Sequence, residues 1–447
     1  MTGTTSVDAP YGDVLSGNAP AGDVPAGDAP AGGRLSGGIL SADVCIVGAG
    51  PVGGTLACRL AMAGVSTVLV DRAALPPMAH PAFDGRAYAI AAGSRALLVE
   101  AGVWDRLPDP PHPILDIRVT DGRVGRPASR LHLHFDHREA GGDPGPFGWM
   151  VEARGLRRAL NAHMRALDHL RVFAPAEASV ERDETGARVR IMGGPEGGPE
   201  IACRLVIAAE GRHSPLREAA GIPVTRFDYH QTGIVCAISH ERPHHNVALE
   251  HFLPSGPFAV LPMAPSADAE AGGAPHVSAV VWTERTALAE TILGLDDLRF
   301  AREIRRRLGG HLGDIRTVGR RWSYPLSAML AHRYVDTRLA LAGDAAHGIH
   351  PIAGQGLNLG FRDAIALAAL VIAAKREGAD VGSPALLARY QRARRPDNLA
   401  MLAMTDGLDR LFSTNHPALR LARGLGIAAV HRTGPLKRMF MRRAMGA

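Results

Sequence analysis

The stretch Leu339-Ala340-Leu341-Ala342-Gly343-Asp344-Ala345-Ala346-His347-Gly348-Ile349-His350-Pro351-Ile352-Ala353-Gly354-Gln355-Gly356-Leu357-Asn358-Leu359-Gly360-Phe361-Arg362-Asp363 decides how the chain is read. Leu339 to Ala342 is a short apolar run of the buried-strand type. Gly343-Asp344 ends it and sets a carboxylate at its C-terminal end. Pro351, Gly354 and Gly356 shape a loop whose backbone can come close to a ligand. From Asn358 onward the pattern is helical, through Ala364-Ile365-Ala366-Leu367-Ala368-Ala369-Leu370-Val371. A loop that feeds a helix in this way presents free N–H groups and a positive dipole end to a partly anionic ligand.

A second signal lies near the start of the ordered chain. The strand Ala42–Val47 runs into Gly48-Ala49-Gly50-Pro51-Val52-Gly53-Gly54, then a helix from Thr55 to about Ala63, then a strand Ser66–Val70 ending on Asp71-Arg72. Gly-x-Gly-x-x-Gly alone is a weak signal. Between strand and helix, with an acid about 20 residues on, it is the dinucleotide fingerprint of a βαβ unit. Gly48 makes the tight turn, Gly50 admits a pyrophosphate and Gly53 lets helix and strand pack closely. Asp71 suits ribose hydroxyls and disfavours a 2′-phosphate, so FAD or NAD is expected rather than NADP. The fingerprint does not separate the first two.

Composition restricts the class. The chain has 447 residues, 46% hydrophobic and 21% charged, with a formal net charge of +6. The basic residues are almost all arginine, with lysine only at Lys375 and Lys437. Cys45, Cys58, Cys203 and Cys236 have no metal-ligand spacing and read as buried thiols of a reducing compartment. No charged-then-apolar leader and no run of about 20 apolar residues is visible, so neither a signal peptide nor a membrane span is expected. Residues 1–40 repeat Gly, Ala, Pro and Asp and are expected to be a disordered tail.

The segment His350-Pro351-Ile352-Ala353-Gly354-Gln355-Gly356-Leu357-Asn358-Leu359-Gly360, followed by Arg362-Asp363, resembles the signature of the flavin-dependent aromatic hydroxylases, and most closely the ubiquinone-biosynthesis hydroxylases. Cys203–Arg217 resembles the second nucleotide motif of that family, with Glu210-Gly211 where an Asp-Gly pair is usual, which implies that Glu210 and Gly211 contact the FAD and nicotinamide region. Thr405–Phe412 resembles the ubiquinone branch. The resemblance spans roughly residues 42–443.

It implies non-covalent FAD and NAD(P)H as a transient electron donor. Oxygen from O2 would pass through a flavin C4a-hydroperoxide to an aromatic ring, here a polyprenylated phenol. It further implies that Gly343-Asp344 binds hydroxyls of FAD. Pro351, Gly354, Gln355, Gly356, Leu357 and Asn358 would lie against the flavin ring, and Arg86 and Arg154 would lie near it. No catalytic acid or base is nominated: His347 and His350 stand in the right loop, and either reading, chemistry or bracing, stays open. No metal is expected. The alternation of His132 and His134 reads as the polar face of a strand.

The implied fold is α/β: a Rossmann-type FAD-binding domain, an interleaved antiparallel β-sheet substrate domain, and C-terminal helices. The expected order is FAD domain 41–118, substrate domain 119–148, FAD domain 149–223, substrate domain 224–334, FAD domain 335–378 and C-terminal helical region 379–447. Arg302, Arg305, Arg306 and Arg307 are expected on a solvated helix face. A helix is expected to stop at Pro396 and restart at Asn398. Leu419–Arg443 is basic and amphipathic, which suits either an anionic membrane surface or packing on the FAD domain. A cytoplasmic protein peripheral to the inner membrane face is the expected setting. A quinone-biosynthesis complex is a candidate partner, and nucleic acid is not. Two other functions stay open: a hydroxylase of a small soluble aromatic compound, and a non-catalytic flavin-binding scaffold.

Overall fold

The computed structural model describes residues 39–75, 85–126, 132–140, 145–192, 198–265, 275–412 and 433–446. The low-complexity tail to residue 38 and, of the basic stretch Leu419–Arg443, residues 419–432 lie outside those residues.

Five parallel strands form the body of the first, eight-stranded sheet, in the order Leu339–Leu341, Glu200–Ala208, Leu40–Val47, Thr67–Val70, Leu170–Phe173, with Val335–Asp336 antiparallel at the edge beside Leu339–Leu341. The chain enters at the centre, moves outward one way, then returns to fill the other side. This is a doubly wound α/β sheet with its topological switch between Leu40–Val47 and Glu200–Ala208. Central strands of such a sheet are covered on both faces, so they read as continuous apolar runs. Val44, Cys45 and Ile46 are fully buried, as are Leu205, Val206 and Ile207. The hairpin strands Glu177–Arg182 and Ala187–Met192 extend the sheet from Glu200–Ala208. The helix Pro51–Met62 begins four residues earlier than its apolar pattern, because Pro51 pre-sets φ at its first position.

The second sheet has eight strands, in the order His347–Gly348, Ile315–Ala331, Val224–His240, His276–Arg285, Gly256–Met263, Val247–Leu253, Asp116–Asp121, His132–Asp136. It is antiparallel except for one pair: Val247–Leu253 runs parallel to Asp116–Asp121. An all-antiparallel sheet was the expectation. The exception arises because Asp116–Asp121 is reached from the first unit rather than by a hairpin. The same strand crosses the boundary expected at 118/119. The boundary expected at 148/149 falls inside Gly148–Glu152, which joins Ala87–Ala91 and His112–Ile114 in a third, three-stranded sheet.

The two large units share a core. Ile114 and Met150 from the small sheet, and Phe147 just before its strand, pack with Ala237, Ala248, Met263, Val277 and Ala279 from the second sheet. The opposite face of that sheet is covered by the helices Thr286–Leu293 and Asp297–Leu308 through Ile292, Phe300 and Ile304. Arg307 on the second of these helices is buried, against the expectation of a solvated row. It pairs with Glu284 at 3.1 Å and Glu303 at 2.7 Å and lies 4.0 Å over the Trp282 ring.

Pro384–Phe412 is one helix with Pro396 inside it, not two. Pro396 removes one backbone donor, but Tyr390, Arg394, Asn398 and Met401 on either side are buried against the same core and hold both halves in line. Gln355–Arg376 is long and apolar enough to cross a membrane. It is the central helix of the first unit, with Asn358 and Asp363 buried on its inner side.

Candidate functional site

Three loops meet at the switch point. Gly48 has φ +106°, and a Cβ there would stand 2.3 Å from the Ala209 carbonyl oxygen. A Cβ on Gly53 would stand 2.0 Å from the Gly48 carbonyl oxygen. Only glycine lets the fingerprint turn close onto the end of Glu200–Ala208. Val52 packs against the third loop: a Cβ on Gly360 would be 2.6 Å, and one on Gly343 3.3 Å, from its side chain. The turns at Gly48, Glu210 and Gly343 therefore share one place.

Gly50 and Gly356 behave differently. No atom lies within 4 Å of where either Cβ would stand. Gly50 is the N-cap of Pro51–Met62, and Gly356 is in the first turn of Gln355–Arg376, which Gly354 caps with φ +62°. Neither helix has a side-chain cap or an acid in its first turn. Two helix N-termini therefore keep orphan N–H groups beside open glycines, an arrangement suited to anionic groups.

The carboxylates are set by backbone amides. Asp71 accepts from Ala49 N–H at 2.5 Å and Ala73 N–H at 2.8 Å, so it holds the fingerprint turn. Arg72 beside it is exposed. Asp344 is half-exposed and receives Arg212 Nε at 3.3 Å, while Arg212 Nη1 donates to Ser327 O and Oγ, both at 2.9 Å. Arg212 thus ties the third loop to the second sheet. Glu210 turns back on its own loop: Ser214 Oγ donates to it at 2.5 Å and Leu216 N–H at 3.3 Å. The extra methylene lets this carboxylate reach the start of Pro215–Ala219, a direction that the expectation of a ligand contact did not include. Burial pushes the Glu210 carboxyl up, against the lowering by those hydrogen bonds.

Among the basic residues, Arg86 stacks 4.2 Å over the Trp322 ring at the junction of the two units. Arg154 pairs with Glu152 at 3.3 Å. The arginine of that helix that reaches the fingerprint turn is Arg157, whose Nη1 donates to the Ala49 carbonyl. It lies one helical turn beyond Arg154 and was not singled out in the sequence. The i, i+3 spacing puts both on adjoining helix faces, and only packing decides which one meets Ala49.

Asp363 organises the glycine-rich loop. Its Oδ2 faces His347 Nε2 at 2.6 Å and accepts from Gly343 N–H at 3.0 Å. Its Oδ1 accepts from Arg394 Nε at 2.8 Å and Asn398 Nδ2 at 3.2 Å. Burial raises the carboxyl, but His347 and Arg394 outweigh it and hold it below the usual range. His347 is thereby a brace. His350 Nε2 lies 3.2 Å from Gln231 Oε1, its ring is edge-on to Tyr229, and burial lowers it to about 4, so it is neutral near pH 7. Asn358 pins the loop to the small sheet: its Oδ1 accepts from Ala91 N–H at 2.9 Å, and its Nδ2 donates to Ala89 O at 2.8 Å. Gln355 is buried, Leu357 is half-buried, and Pro351 precedes the short turn Ile352–Gly354. Gly211 has φ +88°. Among the described residues no group of His, Cys, Asp and Glu could hold a metal ion.

The family model described as "FAD binding domain" matches residues 41–405. The chain is 49% identical to the ubiquinone hydroxylase UbiL of Rhodospirillum rubrum over 406 residues, 91% of this chain and 90% of that one. It is 32% identical to the 3-demethoxyubiquinol 3-hydroxylase of Escherichia coli, over 90% of this chain and 98% of that one. The chain belongs to the FAD-dependent aromatic hydroxylases of ubiquinone biosynthesis. Among solved structures, the p-nitrophenol 4-monooxygenase PnpA of Pseudomonas putida shares the fold, with a TM-score of 0.72 at 20% identity over 92% of this chain and 99% of that one.

The residues present fit the cofactor of this hydroxylase family. The open Gly50 turn and the helix behind it suit a pyrophosphate. Asp71 and Asp344 offer acceptors for hydroxyls. The uncapped N–H groups from Gln355 to Asn358 suit the electron-rich edge of a flavin ring.

Proposed function

We propose that this protein hydroxylates the aromatic ring of a polyprenylated phenol in ubiquinone biosynthesis, with FAD, NAD(P)H and O2. The observation that carries the reading is the meeting of the Gly48, Glu210 and Gly343 turns beside two uncapped helix N-termini. The similarity to ubiquinone hydroxylases supports the substrate class.

Bound FAD would supply the electron transfer from NAD(P)H and the activation of O2. The chain's own residues hold and shield it. Gly48, Gly50, Pro51, Val52 and Gly53 form the pyrophosphate turn, with Arg157 and Asp71 fixing its backbone. Gly343, Asp344, Pro351, Gly354, Gln355, Gly356, Leu357 and Asn358 form the flavin side, fixed by Asp363 and Asn358. The face of the second sheet that carries Val235, Ala259 and Val281 would exclude water from the ring.

Membrane contact at the cytoplasmic face is part of the proposal. On the helix Gly434–Met445, Met441 and Lys437 face inward, Lys437 pairing with Glu139 at 2.5 Å, while Arg438, Met439 and Arg442 are exposed. An exposed methionine between two arginines suits an anionic lipid surface, where a polyprenyl substrate resides. A quinone-biosynthesis complex is the proposed setting.

The test is mass spectrometry of quinone intermediates in a strain lacking the gene. A polyprenylated phenol lacking one ring oxygen should accumulate. An unchanged quinone profile would favour a small soluble aromatic substrate. Full complementation by an Asp344→Ala protein without turnover would favour a flavin-binding scaffold.

A further inference from the structure

Glu250 lies on Val247–Leu253, an interior strand of the second sheet. It is 8% exposed, and it has no hydrogen bond or ion pair among the described residues. Register fixes its face. Glu250 stands opposite Val119 on one neighbour and Ala259 on the other. The same row continues through Val281 and Val235 to Trp322, on which Arg86 stacks. Two residues along the strand on either side are Ala248 and Phe252. Ala248 belongs to the core shared with Ile114, Phe147 and Met150 of the first unit. Phe252 stacks on Phe412 with ring centroids 4.0 Å apart and clusters with Ile352 of the glycine-rich loop. Further along the same face, Gln231 meets His350 of that loop. Glu250 therefore stands in the middle of the face that the second unit turns to the flavin loop, not on the face covered by its own helices.

A buried carboxyl with no partner lowers stability, so its presence calls for something to bind there. Its surroundings are flat and apolar, with alanines at 248 and 259 beside it. Burial alone lifts the carboxyl to about 8, so near pH 7 it is a neutral acid that can both donate and accept. A phenolic hydroxyl has the same two capacities.

We propose that Glu250 is the polar anchor of the substrate site, hydrogen-bonding the ring hydroxyl of a phenolic substrate held between the second sheet and the flavin loop. This rests on the hydroxylase reading. It assigns one specificity-determining residue on a stretch of that face where its neighbours Val119, Ala248, Phe252 and Ala259 are apolar.

The test compares a farnesylated phenol with its O-methyl ether on FAD-loaded protein, followed by perturbation of the flavin absorbance and by product formation. The original protein should prefer the phenol by at least about tenfold. Glu250→Leu should keep FAD, melt at a higher temperature and lose that preference. Glu250→Gln, which keeps a donor and an acceptor, should retain part of it and raise KM more than it lowers kcat. An unchanged preference in Glu250→Leu, or a preference below about twofold in the original protein, overturns the assignment. Tight, Glu250-dependent binding of the phenol without hydroxylated product supports the assignment and instead overturns the hydroxylase reading.

Discussion

Arg394 Nε donates to Asp363 Oδ1 at 2.8 Å, joining two consecutive helices through residues 31 apart in sequence beneath the glycine-rich loop. Both side chains are buried, and the other oxygen of Asp363 holds His347 and the Gly343 amide. Removing one member of a buried pair costs about 3–5 kcal/mol; without Asp363, Arg394 would keep only its pair with Asp397 at 2.8 Å. Asp363→Asn should lower the unfolding free energy by up to that order and reduce retained FAD together. A variant that loses neither would mean the loop does not depend on this pair.

The same carboxyl gives a pH dependence with a definite sign. Its folded pKa lies below the usual value, so its stabilising effect is present above the unfolded value of about 3.9 and is lost as pH falls through the folded one. Acid unfolding followed by tryptophan fluorescence should show a step below about pH 4 that Asp363→Asn removes.

Glu250 has the opposite sign. Its folded pKa is raised to about 8, so folding takes up a proton between the two values. Its own contribution to stability is greatest below about pH 4.3 and declines as pH rises through 8. Thermal melts at several pH values should show this decline, and Glu250→Gln should flatten it.

The glycines separate fold from ligand. At Gly356 a methyl meets nothing within 4 Å, and alanine is the better helix former by about 1 kcal/mol. Gly356→Ala should raise the melting temperature of the apoprotein slightly and weaken FAD retention. Gly53→Ala should destabilise the apoprotein, since the new carbon would stand 2.0 Å from the Gly48 carbonyl oxygen. Dialysis against FAD-free buffer followed by thermal melting reads both.

On the helix Asp297–Leu308, Arg307 and Arg306 look alike in sequence. Arg307→Ala breaks a buried pair with Glu284 and should cost about 3–5 kcal/mol with turnover per bound flavin unchanged. Arg306→Ala, at an exposed pair with Glu303, should cost at most about 1 kcal/mol. Urea unfolding of the two variants distinguishes them.

The sequence by itself determined the parts whose physics is local. A glycine turn between a strand and a helix, an acid at the next strand end, and a proline-glycine loop before Asn358 each follow from backbone sterics within about 20 residues. Only the tertiary structure decided the matters of direction and neighbourhood. It brought Arg157 to the fingerprint turn, folded Glu210 back to Ser214, carried one helix through Pro396, buried Arg307, and set Glu250 on the face toward the flavin loop. In each case the alternatives differ by one helical turn, one methylene or one side of a sheet. Such choices are settled by which distant surface arrives to pack there, and no short stretch of chain encodes that.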